Sequence, residues 1–316
     1  MTRYFSTLPR DVSDERFFRR LELMRLQHLR RAAAWSGGEH VAKRVGGATE
    51  FSGHRAYNPG DDLRYLDWHL LARLDRPYVK TFHEEEYYHV HIVLDASRSM
   101  QGVQEGLKLE YAQDVATALS YLILSNDDRL HLARLPGARE RVFESSGARF
   151  LMGKNQITRA RSFLAQAASP GSASFFACDF ARYIHHHRRR LGLAVIVSDF
   201  LAPLALVETA LSHFVSANCR LAVIRIIDEK ERTFAADHSQ VKVVDMETGN
   251  ERRVTLDEPN RHSYEAAFAS HREGLQSLCK SHGIVCAEVD TTESLYDSMP
   301  AKFAELNLLR ARRGVA

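Results

Sequence analysis

Two short apolar runs that each stop at an aspartate most constrain how this chain can fold. Residues 90–100 read VHIVLDASRSM and residues 193–200 read LAVIVSDF. Both are rich in Val, Ile and Leu without strict alternation, the pattern of strands covered on both faces. From His89 onward such runs alternate with amphipathic stretches, which predicts an α/β fold with a mainly parallel sheet and helices on both faces. Strands are expected at 90–95, 128–134, 193–198, 220–227 and 284–289, and helices at about 105–125, 155–167, 175–190, 203–217, 260–281 and 293–311. Segment 241–256 reads instead as a small hairpin turning at Thr248-Gly249-Asn250. With 316 residues, 45% of them hydrophobic, the chain can hold one large domain, assigned to 87–316, behind a smaller first segment, 1–86.

That first segment has a different texture. A charged amphipathic helix is expected over about 13–34, followed by Gly37-Gly38, Gly46-Gly47 and a polar-aromatic block with a turn at Asn58-Pro59-Gly60. Arg16, Arg19, Arg20, Arg25, Arg30, Arg31, Lys43 and Arg44 make its surface basic, but the net charge of the chain is only +3. Composition therefore does not demand nucleic acid or an anionic membrane. Cys178, Cys219, Cys279 and Cys286 form no C-x-x-C pair, so neither a disulfide framework nor a zinc site is indicated. No signal-like apolar run opens the chain, and no stretch offers about 20 continuous apolar residues. A cytoplasmic location is the expectation.

Asp95, Ser97 and Ser99 alternate just past a buried strand, so their oxygens can converge on one point. Such hard oxygen donors suit Mg²⁺ or Mn²⁺, with water filling much of the shell and one position open to an outside carboxylate. The bland alternative is that Asp and Ser cap the following turn. Ligands of open α/β sheets bind beyond the carboxyl ends of the strands, and Asp199 would arrive beside Asp95 if their two strands are neighbours.

Arg55, Tyr57, Asp61, Asp62, Arg64, Asp67, Trp68 and Arg73 form a second cluster. Guanidinium groups pair bidentately with carboxylates and stack on rings, so these residues can build a self-neutralising network or a docking surface. Arg64, Asp67 and Arg73 are the expected members of a partly buried pairing. The run His185-His186-His187-Arg188-Arg189-Arg190 reads as a solvated, basic helix end, because consecutive helical residues face different directions.

Asp95-x-Ser97-x-Ser99 followed by the VSD of Asp199 resembles the von Willebrand factor A fold with its metal-ion-dependent adhesion site (MIDAS). The block Arg55-x-Tyr57-x-x-Gly60-Asp61-Asp62-x-Arg64-x-x-Asp67-Trp68-x-x-x-Ala72-Arg73 resembles the signature of the bacterial domain-of-unknown-function family fifty-eight, in which such a block precedes a von Willebrand A-like domain. The resemblance implies a further hydroxyl ligand from a threonine position. Ser174 stands there by alignment of the apolar residues that follow, with Ser172 as the alternative. It also implies a non-enzymatic adaptor acting with a MoxR-type AAA+ ATPase in maturing or remodelling a client protein.

Two other function classes are weighed beside it. A metal-dependent hydrolase of the haloacid-dehalogenase type would need a second aspartate two residues after Asp95, where Ser97 stands. No P-loop, G-x-S-x-G elbow or H-E-x-x-H helix is present. Nucleic-acid binding would rest on the basic first helix, without interleaved aromatics or a helix-turn-helix signal.

Overall fold

The strongest apolar runs become adjacent central strands of one sheet. In this computed structural model the described residues are 24–26, 49–84, 89–101, 107–135, 144–145, 150–166, 182–186, 192–217, 219–234, 239–244, 250–305 and 309–311. In chain order the strands are β1 (Met24–Leu26), β2 (Thr49–Ala56), β3 (Tyr78–Glu84), β4 (His89–Asp95), β5 (Arg129–Leu135), β6 (Glu144–Ser145), β7 (Leu193–Ser198), β8 (Arg220–Ile227), β9 (Gln240–Val244), β10 (Glu251–Thr255), β11 (Val285–Asp290) and β12 (Leu309–Ala311). The helices are α1 (Trp68–Leu74), α2 (Leu107–Ser125), α3 (Ile157–Leu164), α4 (Leu204–Ser216), α5 (Glu258–Ser281) and α6 (Leu295–Glu305). The chain divides into two compact units, one made of Met1–His28 with Tyr88–Ala316 and the other of Leu29–Tyr87.

In the larger unit the sheet order is β11-β8-β7-β4-β5-β6. The first five strands pair in parallel, and β6 closes the edge antiparallel to β5. Side chains alternate between the two faces of a strand, and here both faces are dry. Val93, Ala194, Ile196, Leu221 and Val223 belong to a core shared with segment 182–186, α4 and α5. Ile92, Leu94, Val195 and Val197 alternate with them and are also buried, while α2 packs against β4, β5, β7 and β8. Each fully buried Val, Leu or Ile contributes about 1.5–3 kcal/mol, so this double-sided burial is what fixes strand order and register. Among the polar groups inside, the Tyr183 hydroxyl lies 2.7 Å from His91 Nδ1 and 3.0 Å from His131 Nδ1.

Helix α2 is buried nearly all round, and its Thr117 and Ser120 hydroxyls donate to the carbonyls of Gln113 and Ala116 one turn back. At the first turn of α5, Asp257 caps the Asn260 N–H and Pro259 occupies an early position. Strands β9 and β10 form the expected antiparallel pair, whose turning residues 245–249 lie outside the described residues.

Two terminal expectations change. Met24–Leu26 falls inside the helix read over 13–34 but forms a strand, paired antiparallel with Leu309–Ala311, which falls inside the helix read over 293–311. Helix α6 covers Leu295–Glu305, and residues 306–308 lie outside the described residues. Both short segments satisfy their backbone groups across the chain rather than along it, a tertiary pairing that overrides local helical preference.

In the smaller unit β2 and β3 form an antiparallel pair with a bulge between Phe51 and Gly53. Between them Gly60, at φ +105°, makes the turn after Asn58 and Pro59. Asp67 caps α1, accepting from the N–H groups of His69 and Leu70. Leu66 and Val79 bridge and are buried together.

Candidate functional site

Parallel pairing puts the carboxyl ends of β4, β7, β8 and β11 along one edge. Val90 pairs with Leu193 and Leu94 with Val197, so the next residues outward are Asp95 on one strand and Ser198-Asp199 on its neighbour. The neighbour relation required of the two acidic junctions holds. Asp95 Oδ1 accepts from the Ser97 N–H at 2.8 Å, and Oδ2 accepts from the Ser198 hydroxyl at 2.5 Å. The Ser97 and Ser99 hydroxyls lie 3.0 Å apart. Burial first, and then the charge of Asp199, push the Asp95 carboxyl up to about 7, against the opposing hydrogen bonds of Ser198 and Ser97.

Asp199 is held on every side. Its Oδ1 accepts from the Leu201 N–H at 3.2 Å, its Oδ2 from Lys108 Nζ at 2.8 Å, and its backbone carbonyl from Arg225 Nε at 3.2 Å. Lys108 comes from the first turn of α2, is fully buried, and also donates to Glu231 Oε1 at 2.6 Å. Burial pushes the Lys108 ammonium down, but the charges of Asp199 and Glu231 outweigh burial and leave it above its ordinary value. Glu231 lies in the short turn after β8, and its own carbonyl accepts from the Tyr264 hydroxyl of α5. Removing one member of so buried a pairing costs about 3–5 kcal/mol, because the remaining charge has no water to turn to.

The donor set at this corner is oxygen only, which suits a hard divalent cation rather than a soft one. Among the described residues no three His, Cys, Asp or Glu side chains gather as metal ligands. A cation here would therefore rely on the Asp95 and Asp199 carboxylates, the Ser97 and Ser99 hydroxyls, and water. Ser174 and Ser172 lie outside the described residues.

The charged block sits in the smaller unit and resolves into separate pairs. Arg55 donates through two nitrogens to Asp61 at 2.6 and 2.7 Å, and Arg64 pairs with Asp62 at 2.6 Å. Asp67 is met by His54 Nε2 at 2.8 Å and Lys80 Nζ at 3.7 Å. The expected grouping of Arg64, Asp67 and Arg73 is thus divided: Arg64 binds Asp62 two residues away, Asp67 turns to β2 and β3, and Arg73 lies in the last turn of α1. The Arg64 side chain is 77% exposed and Trp68 is 63% exposed, so this part of the block is surface rather than core. Tyr57 is tied through its backbone N–H to the Pro77 carbonyl.

Over residues 53–274 the sequence matches the family described as "Protein of unknown function DUF58". The chain belongs to the DUF58 family. It is 26% identical over 280 residues to uncharacterized protein Mb1516 of Mycobacterium bovis and to uncharacterized protein Rv1480 of Mycobacterium tuberculosis, with 88% of this chain and 86% of each relative covered. Among solved structures it is similar to the conserved hypothetical protein BatB of Bacteroides thetaiotaomicron, at 16% identity and a TM-score of 0.40 over 69% of this chain and 98% of that one. It is also similar to the pilus adhesin SpaC of Lactobacillus rhamnosus GG in its open conformation, at 8% identity and a TM-score of 0.42 over 71% of this chain and 30% of that one.

In this DUF58 chain Ser198, Lys108, Glu231 and Arg225 complete the corner, and sequence reasoning passed over all four. Ser198 had a signal, since it sits inside the same VSD junction as Asp199. Lys108 had a weaker one, a lone cation opening a helix of small and apolar residues. His185 and His186 are exposed on segment 182–186, while His187, Arg188, Arg189 and Arg190 lie outside the described residues. Among the described residues no helix is long and apolar enough to cross a membrane.

Proposed function

We propose that this corner binds Mg²⁺ or Mn²⁺ and that the protein is a non-enzymatic adaptor whose bound cation captures an acidic side chain of a partner. The observation that carries the reading is the meeting of two acidic strand ends, Asp95 and Asp199, beside paired Ser97 and Ser99 hydroxyls, at an edge where burial and like charge disfavour an unaccompanied Asp95 carboxylate. On this reading the α/β unit is von Willebrand A-like, the corner is its adhesion site, and Ser174 or Ser172 supplies a further hydroxyl. The partner would be a MoxR-type AAA+ ATPase, as the sequence resemblance implies, and the work would be maturation or remodelling of a client protein in the cytoplasm. A bound cation would neutralise the two carboxylates and present an open position, while Ser97 and Ser99 orient its water.

Calorimetric titration with Mg²⁺ or Mn²⁺ tests this directly. Wild type is expected to bind one cation, and Asp95→Ala to lose at least about tenfold in affinity while its circular dichroism stays unchanged, since the variant removes a buried charge that the cation answers. Equal binding by the two proteins would remove Asp95 from the site.

A further inference from the structure

Lys108 is an unusual group to find where it is. A methionine would fill the same volume in the first turn of α2 with no charge to bury, yet a lysine stands there, fully buried, with its ammonium on two carboxylates. Those carboxylates belong to different parts of the fold. Asp199 follows β7 and faces the cation corner, and Glu231 follows β8 and is anchored through its own carbonyl by Tyr264. The ammonium therefore touches a candidate ligand on one side and a fixed acid that is no part of that ligand set on the other.

Both Asp199 oxygens are engaged, Oδ1 by the Leu201 N–H and Oδ2 by Lys108. A divalent cation drawing on Asp199 must share that carboxylate with a positive charge 2.8 Å from it. Two cations on one carboxylate repel each other strongly in so dry a place. Glu231 supplies the relief, because an ammonium already bonded to it can shift its weight there without being left alone.

We propose that Lys108 is a built-in competitor for the cation site, holding Asp199 when the site is empty, and that Glu231 sets metal affinity by drawing the ammonium away. The inference rests on the cation reading above and names the residues that tune it. Lys108 and Glu231 are positioning residues, acting on the metal through Asp199.

The two residues give opposite signs, which a merely structural role would not. Glu231→Gln leaves Lys108 balanced by Asp199 alone and is expected to weaken Mn²⁺ binding. Lys108→Met/Glu231→Gln removes the ammonium on Asp199 together with the carboxylate on its far side, leaves no unpartnered Glu231 charge, and is expected to tighten binding on the order of tenfold, as loss of the nearer, positive charge should. Binding is read on the full chain by the loss of the free Mn²⁺ electron paramagnetic resonance signal, with circular dichroism and a thermal melt reporting the fold. If wild type binds Mn²⁺ and neither variant changes the affinity, the competitor inference is overturned and the cation site stands. If neither wild type nor the double variant binds Mn²⁺, both readings fall. Should the double variant not fold, Glu231→Gln decides alone, since its amide can still accept from Lys108: weaker binding supports the inference, and unchanged or tighter binding overturns it.

Discussion

Asp67 shows how much one side chain can organise. Its Oδ1 caps α1 through two backbone N–H groups while its Oδ2 meets His54 and Lys80. The His54 hydrogen bond first, and then the cap and the Lys80 charge, hold its carboxyl down at about 2 against the opposing effect of burial. A carboxyl lower in the folded than in the unfolded chain stabilises the fold above its unfolded value near 4, and that stability is lost as pH falls through about 2. Asp67→Asn keeps an oxygen for the cap and loses the charge. Its melting temperature should fall clearly below wild type at pH 6, and the gap should close as the pH of the melt is lowered from 4 toward 2; a gap constant across that range would assign Asp67 a neutral capping role only. The same scale shows which site residues were readable. Asp95, Ser97, Ser99 and Asp199 announce themselves because each follows an apolar run at a fixed offset. Lys108 and Glu231 lie 123 residues apart and meet only through the fold, so no local spacing could pair them.

At the scale of elements, β4, β7 and β8 were legible because burial on both faces leaves a signature rich in Val, Ile and Leu, whereas β5 and β11, with more polar residues, were legible from the alternation of strands and helices. The terminal strands were not. Met24–Leu26 and Leu309–Ala311 each carry an amphipathic pattern compatible with a helix, and what makes them strands is a partner nearly the whole chain away. Gly192 marks how tightly the central strands approach. A Cβ added there would lie 2.7 Å from the backbone carbonyl oxygen of His89, and the Gly192 carbonyl itself accepts from the Arg220 N–H at 3.0 Å. Neither neighbour is a flexible side-chain end that could swing aside. Gly192→Ala should therefore destabilise the larger unit by about 1–3 kcal/mol, the usual range for overpacking, with a lower melting temperature in a thermal scan. The cation corner lies at the opposite end of β7, so affinity for Mn²⁺ should not change; an unaltered melting temperature would mean that β4 and β7 have slack to give.

At the scale of the whole molecule, the two units offer a partner different chemistries. The smaller one presents surface ion pairs and an exposed Trp68, and exposed pairs such as Arg64 with Asp62 contribute little to stability, so their charge is available for recognition. The larger one presents an acidic corner that a divalent cation would turn into an acceptor for an outside carboxylate. These alternatives separate by salt and by chelator. Docking through surface charge weakens as ionic strength rises and is indifferent to EDTA, whereas capture through a cation survives moderate salt and is abolished by chelation. Co-purification of the chain with a MoxR-type AAA+ ATPase, run with Mg²⁺, with EDTA, and with Ser97→Ala/Ser99→Ala, should recover the ATPase only from wild type with Mg²⁺. Equal recovery in all three conditions would reject cation-mediated capture and move recognition to the surface around Trp68, where Trp68→Ala should then reduce recovery while the Mn²⁺ affinity of the chain stays unchanged.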